Sequence, residues 1–206
     1  MFYYYIGRTA RKMEETMDTG IVIYRSKYGS AKKYAHWIAE KTGFRCTEAS
    51  KCCFDKPKPG RETPTSCDTV IFCGSIYASG IAGLSLLRKN YPKLRTKKLA
   101  VFCVGASPYD QKAFEEIRAH NLKGELSGIP LFYGRGAWDE KAMSFKDRTL
   151  CRILQKSVAK IDPSKQEPWM KALSCAAGKQ CDWTDEKYLD GLMEFLYHNE
   201  KHAPTI

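Results

Sequence analysis

Hydrophobic positions along this chain fall into two alternating textures. Short unbroken apolar runs are each followed by a small-residue turn and then by apolar positions at helical spacing. Ile21, Val22, Ile23 and Tyr24 form the first run. β-Branched and aromatic residues without polar alternation suit a strand buried on both faces. After a Ser/Gly turn, Ala31, Tyr34, Ala35, Ile38 and Ala39 recur at helical spacing and Gly43 closes the helix. The segment FRCTEAS predicts a second strand, and Asp55 to Ser66, rich in Pro, Lys and Gly, predicts a loop. DTVIFCGSIYASG repeats the opening logic, with Leu84, Leu87 and Tyr91 marking the following helix. KKLAVFCVGASPYD repeats it again, followed by a helix from Gln111 to His120. IPLFYGRG supplies the last strand. A long amphipathic helix is predicted over 141–160, ended by Asp162–Pro163. The stretch WTDEKYLDGLMEFLYHNEKH predicts a final helix, with Thr184 placed to cap it.

Strands alternating with helices imply an α/β fold with a mostly parallel sheet covered on both faces. With right-handed crossovers, five strands fit the doubly wound order 2-1-3-4-5 in a three-layer sandwich. Ligands of such sheets bind beyond the carboxyl ends of the strands, where the order reverses. Three loops lie there: Ser26–Ala31, Ser75–Gly80 and Gly105–Tyr109.

The first loop carries the sharpest chemistry. Ser26, Lys27, Tyr28, Gly29, Ser30 and Ala31 end where a helix begins. A helix N-terminus offers unpaired N–H groups and a dipole suited to an anion. Gly29 allows a close turn, the two serine hydroxyls add donors, and Lys27, Lys32 and Lys33 raise the local potential. A Ser/Gly turn also serves any α/β unit, so the loop alone does not decide. The glycines match neither the dinucleotide fingerprint nor the P-loop. The second loop sets Ser75, Ile76, Tyr77, Ala78 and Gly80, and the third sets Gly105, Ala106, Ser107 and Tyr109, at the same end. Small residues with one aromatic ring in each suit a flat heteroaromatic ligand, with Tyr77 and Tyr109 available to flank its faces.

These segments together resemble the flavodoxin superfamily, and within it the flavodoxin-domain group that includes menaquinone-dependent protoporphyrinogen oxidase. The resemblance rests on IVIYRSKYGSAKKYAHWIAE, VIFCGSIYASG and LFYGRGAWDEKAMSFKDRTLCRIL, and covers about residues 20 to 200. It implies FMN as cofactor, with Ser26 to Ala31 on the phosphate and Ser75 to Gly80 with Ser107 to Tyr109 around the isoalloxazine. It implies electron or hydride transfer, as a carrier or an oxidoreductase. Ala31 stands where the family commonly has threonine, which removes one hydroxyl. A non-enzymatic interaction domain on the same fold is the competing reading, since fold does not fix function.

Length and composition narrow the picture. The 206 residues suit one domain, expected over 20–206, with 1–19 as an arm or leader. No apolar run reaches bilayer-spanning length. Nine scattered cysteines, several inside apolar runs such as Cys73, Cys103 and Cys151, suit free thiols in a reducing, cytoplasmic setting. Cys52, Cys53, Cys67, Cys175 and Cys181 match no zinc or iron–sulfur spacing, so no metal site is expected. None of His36, His120, His198 and His202 has a partner evident in the sequence, so no proton-transfer residue is assigned. The net charge of +11 points to an acidic redox partner protein, an anionic small molecule, peripheral contact with an anionic membrane surface, or simply a solvated face, and a quinone is a further candidate redox partner. Basic and aromatic residues are not interleaved as single-strand nucleic-acid binding requires.

Overall fold

Strand β1 (Gly20–Arg25) shows why the apolar runs lack polar alternation. In this computed structural model, which describes residues 19–198, Ile21 and Ile23 enter one core cluster and Val22 enters the other. Strands β3 (Thr69–Tyr77) and β5 (Lys98–Gly105) divide in the same way. Val70, Phe72, Val101 and Cys103 face one layer, while Ile71, Cys73, Phe102 and Val104 face the other. The period of two is present, but both phases are apolar because both faces are covered.

Helix α1 (Ser30–Thr42) covers the second layer through Tyr34, Ala35 and Ile38. It ends at Gly43, whose φ of 73° is the left-handed value expected of a glycine stop. Strand β2 (Arg45–Glu48) follows, and β4 (Gly80–Ile81) pairs antiparallel with the end of β3. Helices α2 (Leu84–Leu94) and α3 (Gln111–Asn121) cover the first layer. Strand β6 is Leu131–Arg135. The parallel strands lie in the order β2-β1-β3-β5-β6. With the two-residue β4 set aside, that is the expected 2-1-3-4-5. The fold is a flavodoxin-like three-layer sandwich.

The chain between β6 and the last helix departs from expectation. Strand β7 (Ala137–Asp139) pairs antiparallel with β8 (Gln180–Asp182). Between them lie α4 (Phe145–Val158) and α5 (Pro168–Ala176). Helix α4 is shorter than the predicted 141–160 because Ser144 caps it, its Oγ accepting from the Asp147 amide at 3.3 Å. These elements form a cap with its own small core of Trp138, Val158, Leu173 and Ala176, against which Ala106 packs. The final helix, α6 (Asp190–His198), is preceded by a 3-10 turn over Glu186–Leu189. Asp185, not Thr184, caps that turn by accepting from the Lys187 amide. The Thr184 hydroxyl bonds Asp182 and Lys33 instead. The Lys/Pro-rich loop is anchored to the fold: Pro64 within it is buried, Glu62 bridges to Cys52, and Cys52, Cys53 and Phe54 just before it are buried. The expected arm over 1–19 lies, except for Thr19, outside the described residues.

Gly134 sits where β6 meets two rings in tilted contact, Tyr34 and Phe102. A Cβ there would lie 2.8 Å from Phe102 and 2.9 Å from Tyr34, both fully buried. The Tyr34 ring is also tied by its hydroxyl, which donates to the Arg135 carbonyl at 2.7 Å, and Phe102 is enclosed in the core. Gly134→Ala is therefore expected to lose about 1–3 kcal/mol through overpacking. Urea denaturation checks this; an unchanged midpoint would show that the rings are free to move.

Candidate functional site

The loop after β1 turns on Gly29, which caps α1 with φ of 94°. That value is open to glycine and strained for a β-branched residue. The Gly29 amide donates to Ser26 Oγ at 3.0 Å, and the Lys33 amide donates back to the Gly29 carbonyl at 2.9 Å. The first-turn amides of Ser30, Ala31 and Lys32 have no acceptor within the helix, as at any helix start. Ser30 Oγ accepts from the Ala137 amide at 3.0 Å, so β7 lies across this helix start. Ala31 is fully buried in the second core cluster and offers the loop its backbone only.

Lys27, Tyr28 and Tyr77 converge on Asp147 of α4, a carboxylate with only 3 % of its surface exposed. Lys27 Nζ lies 2.5 Å from Oδ2, the Tyr28 hydroxyl donates to the same oxygen, and the Tyr77 hydroxyl donates to Oδ1 at 2.8 Å. The hydrogen bond from Lys27, then those from the two tyrosines, hold the Asp147 carboxyl well below the usual carboxylate range. The same contacts raise Lys27 and Tyr77. Lys33 pairs with Asp182 at 3.0 Å, so of the three lysines expected to raise the potential here only Lys32 carries no ion pair among the described residues.

The β3–β4 connection is a two-residue turn in which Ala78 (φ 47°) and Ser79 (φ 65°) both take positive φ. Glycine and asparagine usually fill such positions; other side chains there cost about 1–3 kcal/mol each. The compensation comes from Asn121 at the end of α3, which is buried. Its Nδ2 donates to the Ser79 carbonyl at 2.7 Å, and its Oδ1 accepts from the Ile81 amide at 2.8 Å.

This hairpin separates two cavities. One of about 810 Å3 is lined by Ser26, Lys27, Tyr28, Ser75, Tyr77 and Gly80, with Asp147 at its edge. The other, of about 600 Å3, is lined by Ser79 and by Gly105, Ala106, Ser107 and Tyr109. Ile76 borders both. Leu154 and Trp169 of the cap overhang the second, and the Tyr133 hydroxyl fixes its loop by donating to the Ser107 carbonyl at 2.5 Å. The two tyrosines expected on opposite faces of one ligand are thus divided: Tyr77 faces Asp147, and Tyr109 lies in the other cavity. Gly29, Ser30, Ala31 and Ala78 line neither cavity.

A family model described as a flavodoxin domain matches residues 21–165, which span all five parallel strands. The chain belongs to the flavodoxin-domain family. At the family level that makes it an FMN-type redox domain. Among solved structures it is similar to the flavodoxin, WrbA-like protein from Agrobacterium tumefaciens, at 19 % identity over 64 % of this chain and 88 % of that one, with a TM-score of 0.43. It is also similar to the Trp repressor binding protein from Bacillus subtilis, at 17 % identity over 57 % and 87 %, with a TM-score of 0.35. No curated protein matches the chain.

Neither Asp147 nor Asn121 stood out in the sequence. One is an acid inside a basic helix and the other a polar residue at a helix end, and only burial distinguishes them. Because the Asp147 pKa is depressed on folding, its contribution to stability is full above the ordinary carboxylate value and is lost as pH falls through the folded value. Wild type should therefore lose stability more steeply than Asp147→Asn below about pH 4. Urea denaturation across that range reads the difference, and a gap between the two proteins that is constant from neutral to acid pH would count against it.

Proposed function

We propose that this chain binds FMN non-covalently and serves as an FMN-dependent redox protein. The observation that carries the reading is the start of α1, with Gly29 in the left-handed region, set at the strand-order switch opposite the β3 and β5 loops. The residues suit the group chemically. The amides of Ser30, Ala31 and Lys32 with the Ser26 hydroxyl would hold a phosphate. Across the β3–β4 rim, which Ile76 borders on both sides, Ser79 and Gly105–Tyr109 would hold a flat ring, with Tyr109 half exposed against it. Bound flavin would supply the hydride or electron chemistry. The chain's own part is to bind and orient it, and to exclude water on the side overhung by Leu154 and Trp169. His120 lies at the border of the same cavity.

The charge of +11 supports an anionic small molecule or an acidic protein as the redox partner. The relatives named above give no support to the narrower likeness to protoporphyrinogen oxidase, so the reading stays at the level of the cofactor. All nine cysteines are free thiols, which favours a reducing compartment such as the cytoplasm. Among the described residues no helix is long and apolar enough to cross a membrane.

Purified protein, with FMN added if it is colourless, should show a flavin absorbance spectrum and release FMN by mass. Gly29→Val should weaken FMN about tenfold or more while weakening riboflavin much less, because a β-branched residue resists the left-handed turn that aims the amides. A Cβ at Gly29 meets nothing within 4 Å, so the effect is conformational rather than a clash. Equal losses for both ligands would move the phosphate elsewhere, and no flavin binding at high FMN would remove the reading.

A further inference from the structure

Helix α4 presents two very different halves. Inward, Asp147 meets Lys27 and the tyrosines, Val158 and Cys151 enter the core of the cap, and Gln155 bonds Glu140. Outward, Phe145 is 85 % exposed, Ile153 57 % and Leu150 50 %, and Leu154, at the rim of the second cavity, 42 %. At 3.6 residues per turn these four share the outward half of the helix. Lys146 falls among them, and Arg152 and Lys156 lie along one edge; all three are exposed. The helix has one acid, Asp147, and that one is buried and paired. The outward half therefore offers hydrocarbon and positive charge, with no carboxylate of its own helix to oppose an anion.

We propose that this face docks on an anionic phospholipid bilayer, with Phe145, Leu150 and Ile153 entering the acyl boundary and Lys146, Arg152 and Lys156 reaching the headgroups. A protein partner fits the pattern less well. Cores of protein interfaces are depleted in lysine, and charge is placed at the rim, whereas Lys146 lies within the apolar arc. At a bilayer surface that placement is favourable: the lysine stem lies along hydrocarbon while its ammonium rises to phosphate. The +11 charge of the chain adds attraction to an anionic leaflet. The inference does not depend on flavin binding.

The full chain is mixed with sedimenting vesicles of phosphatidylcholine alone or with about one-third phosphatidylserine, at physiological salt. Wild type should pellet with the anionic vesicles and stay in solution with the neutral ones. Phe145→Ser with Ile153→Ser should lower binding about fivefold or more, and Lys146→Gln with Arg152→Gln should lower it and flatten its salt dependence. On wild type, hydrogen exchange with anionic vesicles should show protection centred on α4; this reading needs no variant to fold. The proposal is overturned if wild type does not bind, if the serine variant binds as wild type does, or if protection falls only elsewhere. It is equally overturned if sedimentation velocity shows a dimer that the serine variant dissociates, since a second copy would then cover the face.

Discussion

A carboxylate withdrawn from water must be met by donors, and Asp147 is met by three from two different loops. Lys27 and Tyr28 come from the turn after β1, and Tyr77 from the end of β3. The acid itself belongs to α4, 120 residues after Lys27 and 70 after Tyr77. This contact orders what would otherwise be independent parts. It seats the cap over the carboxyl ends of the strands, fixes the outer side of the Gly29 turn, and pulls Tyr77 away from the cavity that holds Tyr109. It also turns α4 so that its acid points inward, leaving apolar and basic side chains outside. The cavity arrangement and the exposed face of α4 share that one origin.

Local electrostatics follow the same pattern. The charge of +11 reads in the sequence as a diffuse positive field, with three lysines around the first loop. In the fold two of those lysines are paired, Lys27 with Asp147 and Lys33 with Asp182. An anion held at the start of α1 would therefore rest on backbone amides more than on side-chain charge. Amides are directional and unaffected by pH, so such a site selects shape as well as sign.

Much of the sheet was legible because its strands are buried on both faces. Residues such as Ile21 to Ile23 and Ile71 to Cys73 then form apolar runs that no helix period explains. The strand order followed from crossover handedness. The cap was less legible for equally physical reasons. Strands β7 and β8 have three residues each and are separated by some forty, too short for a pattern and too distant for a turn signal. Thr184 and Asp185 are both able to cap, and the choice fell to Asp185 because the Thr184 hydroxyl is engaged by Asp182 and Lys33. The three loops were correctly placed at one end of the sheet. Their partition into two cavities depends on where the Tyr77 side chain points, which periodicity does not encode.

The β3–β4 turn carries a consequence for how this molecule can change. A hairpin with Asn-Gly at its tip holds its own shape. Ala78 and Ser79 cannot, and rely on an amide borrowed from Asn121 in another helix. The rim between the two cavities is therefore under remote control. Any drift in the register of α3 would be transmitted to the width of both cavities, even with every lining residue unchanged. A lineage that placed Asn-Gly at the tip would release α3 from this duty and let the helix vary. The present sequence instead binds rim and helix into one inherited unit.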